Sequence, residues 1–330
     1  MNESRARVIS QEKGIYRLQS GTEIKPAVVS GKYRYETRTV SDYPAVGDYV
    51  IAEWPEDDSR AVIEGLFPRR SCLIRKAAGT AKREQVVAAN IDTVFICMSL
   101  NSNFNIRRLE RYLSVTYDSG ATPVVVLTKS DLCSDLERRI TEVRESAPGV
   151  DVLAISSLND DYEAVMKYML PCKTVAFIGS SGVGKSTLIN RLTGTDSLPA
   201  REIGNDDKGR HTTTHRELIT LDNGAFVIDT PGMRELGMWD NDAGIDTEFA
   251  DIEELSRTCK YSDCTHTSEP GCSVLKAVMD GTLDVLRLES YRKLKNENAY
   301  AADNSRYLEA KRAKFKRISR INRSGRKHRY

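Results

Sequence analysis

Gly179-Ser180-Ser181-Gly182-Val183-Gly184-Lys185-Ser186 satisfies the pattern G-x-x-x-x-G-K-[ST] in full. The apolar run Thr174 to Ile178 precedes it, and Thr187-Leu188-Ile189-Asn190-Arg191-Leu192 can open a helix behind it. Strand, loop and helix in that order make the phosphate-binding unit of an α/β domain. The glycines let the loop curl so that backbone N–H groups surround phosphates. Lys185 would neutralise the β- and γ-phosphates and Ser186 would ligate Mg²⁺, with Thr187 following in the first helical turn.

The same grammar extends on both sides. From about Gln85 to Asp229, buried runs alternate with helical stretches: Ile91 to Met98, Val124 to Thr128, Val152 to Ile155, Val175 to Ile178, Glu217 to Leu221 and Phe226 to Ile228. Near-continuous Val/Ile/Leu segments of this length predict a largely parallel sheet covered on both faces. Leu198 to His215 is rich in Gly, Asp, Lys and Thr without an apolar period, and reads as a long loop. Asp229-Thr230-Pro231-Gly232 ends the last of the strands, where a carboxylate can hold a Mg²⁺ shell and the Gly232 N–H can meet a γ-phosphate.

Thr128-Lys129-Ser130-Asp131 ends another strand and resembles the guanine-reading N-K-x-D motif, with Thr where Asn is commonest. Asp131 would accept from the N1–H and exocyclic amine of guanine, donors that adenine lacks in that arrangement. The stem of Lys129 would lie along the base. Ser156-Ser157 ends the run Val152 to Ile155, where a backbone amide would meet the guanine oxygen.

The flanks read differently. From Arg7 to about Arg75, short β-type runs with glycine turn signals fit about five strands and a small closed barrel of the OB type. Lys32 to Arg38 alternates charged with aromatic or β-branched residues, which predicts a strand with Lys32, Arg34 and Arg38 on one face. That face suits either a nucleic acid or plain solvent. Beyond Gly244, Phe249, Ile252 and Leu255 sit at helical spacing, and Leu283, Leu286, Tyr291 and Leu294 predict a further helix.

Between those helices, Cys259-x₄-Cys264-x-His266-x₅-Cys272 offers three thiolates and one imidazole. This is a complete tetrahedral set for one Zn²⁺ with no position left for water, hence a structural site. Its turn-rich interior holds too few apolar residues to fold unaided, so the metal would supply the fold there. The other cysteines, Cys72, Cys97, Cys133 and Cys172, are scattered, and three lie in or beside apolar runs that suggest buried packing thiols. Seven in 330 residues do not make a disulfide framework.

The formal charge of +2 hides an asymmetry. Arg306 to Tyr330 carries eleven Lys or Arg and one acidic residue, Glu309, leaving 38 basic against 46 acidic residues elsewhere. A basic tail on an acidic body suits a polyanion such as RNA, or a solvated end. With 40% hydrophobic residues the chain can bury a core, which excludes wholesale disorder. No apolar run approaches the roughly 20 residues that span a bilayer, and the N-terminus lacks the apolar region of a secretory signal. A cytoplasmic protein without a membrane partner is expected.

The order of the motifs distinguishes this chain. Ordinary GTPases run phosphate loop, switch threonine, D-x-x-G, N-K-x-D, whereas here Thr128 and Ser156 come before Gly179 and Asp229 comes last. With the barrel in front and the Cys/His cluster behind, the chain closely resembles the bacterial ribosome small-subunit-dependent GTPase family, whose GTPase domain is circularly permuted. The resemblance implies an OB-fold barrel over 1–75, a permuted α/β GTPase domain over 76–244, a mainly helical zinc-binding domain over 245–303 and a basic tail over 304–330. It implies a GTP hydrolase that assists late maturation of the small ribosomal subunit, gripping rRNA and timing its release by hydrolysis. It also marks Gly209-Arg210-His211-Thr212-Thr213-Thr214, with Thr213 closing on Mg²⁺. Met233 stands where many GTPases place a water-orienting Gln, and a thioether cannot do that work. The family analogy turns to His211 instead. A monomer is the default expectation. Two rivals remain: a P-loop kinase for a small molecule, and an RNA-binding scaffold with GTP as a fixed ligand.

Overall fold

The computed structural model describes residues 2–299 except 13, 38, 58, 77–83, 102, 157–161, 195–216 and 230–242. The N-terminal part contains β1 (Asn2–Glu12), β2 (Ile15–Ser20), β3 (Glu23–Val29), α1 (Gly31–Glu36), β4 (Tyr49–Trp54) and β5 (Ala61–Leu66). The strands pair in the order β1-β2-β3-β5-β4, and β4 returns to β1 to close a five-stranded barrel. Its interior follows the period-two rule: Val50 and Ala52 on β4 and Ala61 and Ile63 on β5 are buried with Val8, Leu18 and Ala27.

The strand expected over Lys32 to Arg38 is not one. Residues 31–36 form α1, because the Ser30 hydroxyl accepts from the Tyr33 N–H at 3.0 Å and the Ser30 carbonyl from Arg34 N at 3.0 Å. A serine cap of this kind outcompetes an alternation that is only seven residues long. On a helix Lys32 and Arg34 diverge instead of sharing a face. Arg38 lies outside the described residues.

A hairpin, β6 (Cys72–Lys76) and β7 (Glu84–Ala89), leads into the second part. There follow β8 (Thr93–Ser99), α2 (Ile106–Ser119), β9 (Thr122–Thr128), α3 (Leu136–Ser146), β10 (Asp151–Ala154), α4 (Glu163–Met166), β11 (Thr174–Ile178), α5 (Lys185–Thr193), β12 (Glu217–Thr220) and β13 (Phe226–Asp229). The order is β10-β9-β8-β11-β13-β12, with the first five parallel and β12 antiparallel to β13. Both faces are buried. On β8, Val94, Ile96 and Met98 join α2 and α3 in one core, while Phe95 and Cys97 join α4 and α5 in another. Cys97 thus packs as expected, but Cys172 is exposed at a turn before β11, with φ at 64°.

β1 belongs to both units. Its Ser10 pairs with Glu217 of β12, so barrel and parallel sheet are hydrogen-bonded through one strand. Arg7 of β1 is buried at this joint, donating to the Thr174 hydroxyl at 2.6 Å with its guanidinium over Phe226 at 4.3 Å.

The remainder is helical: α6 (Ala243–Glu248), α7 (Ala250–Ser256), α8 (Ser273–Met279) and α9 over 285–299. Phe249, Ile252, Leu288, Tyr291 and Leu294 enter the same core as Leu109, Tyr112 and Leu113 of α2. The expected α9 is present, but Leu286 is 54% exposed and Leu288 turns inward in its place. Arg287 binds both carboxylate oxygens of Asp251, at 2.8 and 2.9 Å, and the Glu248 carbonyl at 2.8 Å. Burial raises the Glu248 carboxyl well above its usual range against the pull of Arg287. Among the described residues no helix is long and apolar enough to cross a membrane.

Candidate nucleotide and metal sites

β11 delivers the chain to Gly179, whose φ of 142° and position exclude a side chain: a Cβ there would lie 2.3 Å from the Cys97 carbonyl oxygen. Lys185 Nζ donates to the carbonyls of Gly179 and Ser180, both at 2.7 Å, which holds the ammonium over the loop. Gly184, at φ 94°, precedes α5 without a side-chain cap. The first N–H groups of α5 therefore face whatever the loop encloses, an arrangement that favours anions. Ser186 and Thr187 lie in that first turn. Burial raises the thiol of Cys97, beneath the loop, to about 12, so it stays protonated. Gly179→Ala is expected to weaken GDP binding at least about tenfold, because loop or strand must move. Titration with a fluorescent GDP analogue measures it, and unchanged affinity would show that the close approach is dispensable.

The base-reading candidates lie beside this loop. Thr128 ends β9, and its buried hydroxyl donates to the Val183 carbonyl at 2.6 Å. A threonine hydroxyl thereby ties the two loops together where Asn is commonest. Lys129 takes a left-handed φ of 57° and reaches the Gly182 carbonyl with Nζ at 3.0 Å. Ser130 N bonds the Ile155 carbonyl at 3.2 Å, and the Ser156 hydroxyl donates to Asp131 Oδ1 at 2.6 Å. Asp131 remains exposed to solvent while it accepts this bond.

The geometry gathers Thr128, Lys129, Ser130, Asp131, Ser156 and residues 179–187 at the carboxyl ends of β9, β10 and β11, where open α/β sheets bind ligands. Asp229 ends β13, the parallel neighbour of β11, so it leaves the sheet at the same end. Ser157, His211, Thr213, Gly232 and Met233 lie outside the described residues, as does the loop expected over Leu198 to His215.

Arg108 and Asn103 touch the phosphate loop at Ser180, a contact that the sequence reading does not anticipate. Arg108 NH1 donates to the Ser180 hydroxyl at 2.9 Å and to Asn103 Oδ1 at 2.7 Å. The sequence carries a partial trace, two cations, Arg107 and Arg108, in the first turn of α2 where a helix dipole disfavours them, without indicating which of the two reaches the loop.

Cys259, Cys264, His266 and Cys272 converge with their ligand atoms within 4.8 Å of one another. Cys259 and Cys272 sulfurs are 3.9 Å apart, and His266 Nδ1 lies 3.7 and 3.4 Å from them. Tetrahedral Zn–S and Zn–N bonds imply edges of about 3.8 Å and about 3.6 Å, so these donors fit such an ion. The backbone accommodates it through a left-handed His266, at φ 57°. Burial lowers the His266 pKa, which favours the neutral ring that a metal needs. The cluster can bind a metal.

A family model described as RsgA GTPase matches residues 66–239. The chain is 48% identical over 316 residues to "Small ribosomal subunit biogenesis GTPase RsgA 2" of Lactiplantibacillus plantarum, covering 94% of this chain and 88% of that one. It is 43% identical over 311 residues to "Small ribosomal subunit biogenesis GTPase RsgA" of Methanosarcina acetivorans, covering 91% and 84%. Among solved structures, YjeQ from Thermotoga maritima superposes with a TM-score of 0.68 at 26% identity, covering 90% of this chain and 99% of that one. YloQ, described as a circularly permuted GTPase, superposes with a TM-score of 0.65 at 27% identity, covering 90% and 96%.

Proposed function

This chain belongs to the RsgA GTPase family, and from that premise we propose that it hydrolyses GTP during biogenesis of the small ribosomal subunit. The observation that carries the reading is the direct bonding of the base-reading loop to the phosphate loop, through Thr128 to Val183 and Lys129 to Gly182. One pocket then checks guanine and holds phosphates. A small-molecule kinase gives no role to Asp131 or to its Ser156 partner.

In this reading Asp131 selects guanine, Lys185 and the α5 N-terminus hold the phosphates, and Ser186 with Thr213 and Asp229 would hold Mg²⁺. That ion would neutralise charge between the β- and γ-phosphates. Gly232 donates its N–H to the γ-phosphate. His211 orients the attacking water, since Met233 cannot. We take the chain as four parts divided after 75, 244 and 303: OB barrel, GTPase domain, zinc-binding domain and basic tail.

The Cys₃His cluster holds one structural Zn²⁺. Barrel and zinc module grip rRNA, and the eleven cations of the tail add salt-dependent attraction. Docking accelerates hydrolysis, and hydrolysis to GDP times release. The protein works as a monomer in the cytoplasm, where its ribosomal partner is. Purified chain should turn GTP over slowly alone and at least about tenfold faster with small ribosomal subunits, as charge-stabilising partners do for other GTPases. Phosphate release assays test this. A rate unmoved by subunits would favour the scaffold reading.

A further inference from the structure

The α2 N-terminus carries an arrangement that guanine reading and phosphate binding leave unused. Asn105 caps the helix by accepting from Arg108 N at 2.9 Å, so the Arg108 side chain leaves from a fixed first turn. Its NH1 meets Ser180 Oγ and Asn103 Oδ1, and Asn103 Nδ2 approaches the same hydroxyl at 3.4 Å, closing a triangle. Asn103 is itself set by Asn101, whose Oδ1 accepts from Asn103 N at 3.0 Å and from Ser99 Oγ at 2.8 Å. Ser180 is no ordinary loop residue. Its carbonyl is one of the two that hold Lys185 Nζ, so displacing Ser180 displaces the phosphate-neutralising ammonium.

The other side of the same helical turn is fastened elsewhere. Arg107, the adjacent residue, bonds Asp284 at 2.9 Å and Glu110 at 2.5 Å. Arg111 bonds Glu297 at 2.8 Å, and Glu110 also faces Arg287 of α9 at 3.4 Å. The turn that carries Arg108 therefore rests on the C-terminal helices. Two cations at a helix start work against its dipole, and none of the first-turn residues is acidic to offset them.

We propose that Arg108 is a positioning residue for hydrolysis: it fixes Ser180, and through it Lys185, against a helix seated on the C-terminal module. This rests on the GTPase reading and adds a route by which docking at that module reaches the phosphates. Arg108 touches the loop, and its effect on the phosphates runs through Ser180.

Turnover measurements on the full chain, with and without small subunits, test it. Arg108→Ala should lower subunit-stimulated kcat about tenfold, a larger factor than its effect on KM for GTP or on GDP affinity, as loss of one charge-assisted hydrogen bond implies. Both contacts leave from one nitrogen, so Arg108→Lys should restore most of the rate. Ser180→Ala should match Arg108→Ala, and the double variant should be no slower than either single one. A kcat unchanged in Arg108→Ala, additive losses in the double variant, or a loss confined to KM would each overturn the assignment. If small subunits fail to accelerate the wild type, the proposed function falls. The Arg108 comparison is then read on the subunit-free kcat, where the same tenfold loss supports it and equal rates overturn it.

Discussion

Asp131→Asn is expected to weaken GTP binding by about two orders of magnitude and to bind xanthosine triphosphate in preference. A carboxylate accepts both guanine donors, and each charge-assisted bond contributes about 1.5–3 kcal/mol. Xanthine presents an oxygen where guanine has the amine, so an amide donor complements it. The variant should keep its loop, because the Ser156 hydroxyl donates to Asp131 Oδ1 and Asn retains an oxygen to accept it. Equilibrium titration with both nucleotides measures the exchange. Full GTP affinity in the variant would remove Thr128 to Asp131 from the base site, and with them the guanine assignment.

Cys264→Ser should release the metal and unfold the segment from Cys259 to Cys272. Structural zinc sites supply about 10–16 kcal/mol of apparent binding energy, more than a segment this poor in apolar residues can replace. Cys264 is the informative ligand because Cys272 also caps α8, its sulfur accepting from Leu275 N at 3.4 Å. GDP affinity should stay within about threefold, since the loops that meet nucleotide hang from the parallel sheet. Elemental analysis and hydrogen exchange over 259–299 provide the readouts. Wild type purified without chelator and free of metal would count decisively against a zinc site, and so would unchanged exchange in the variant.

Much of this was legible in the residues. The parallel strands could be read because they are buried on both faces, which leaves nearly unbroken runs such as Val124 to Leu127. The phosphate loop could be read because its glycines answer a steric demand, seen at Gly179 against Cys97. The cluster of Cys259, Cys264, His266 and Cys272 was legible because soft ligands are rare and their spacing is short. Lys32 to Glu36 misled because charge alternation is a statement about side chains, whereas the Ser30 cap acts on the backbone. Leu286 misled for a related reason: four apolar residues define a helix face only to within about one position. The contact between Arg108 and Ser180 joins residues 72 apart, and no local pattern encodes which cation crosses that gap.

The strand shared by barrel and sheet bears on how the molecule can be cut. A chain shortened to begin at residue 76 would lose β1, leaving β12 as an open edge with unpaired backbone groups ready to recruit a stranger. It would also lose Arg7, and the hydroxyl of Thr174 would face a void where a guanidinium had been. The barrel is therefore a lid on the sheet's sticky margin as much as a module of its own. Dissection at residue 75 yields a sample prone to self-association, and low activity in such a fragment would say little about what the barrel contributes to catalysis.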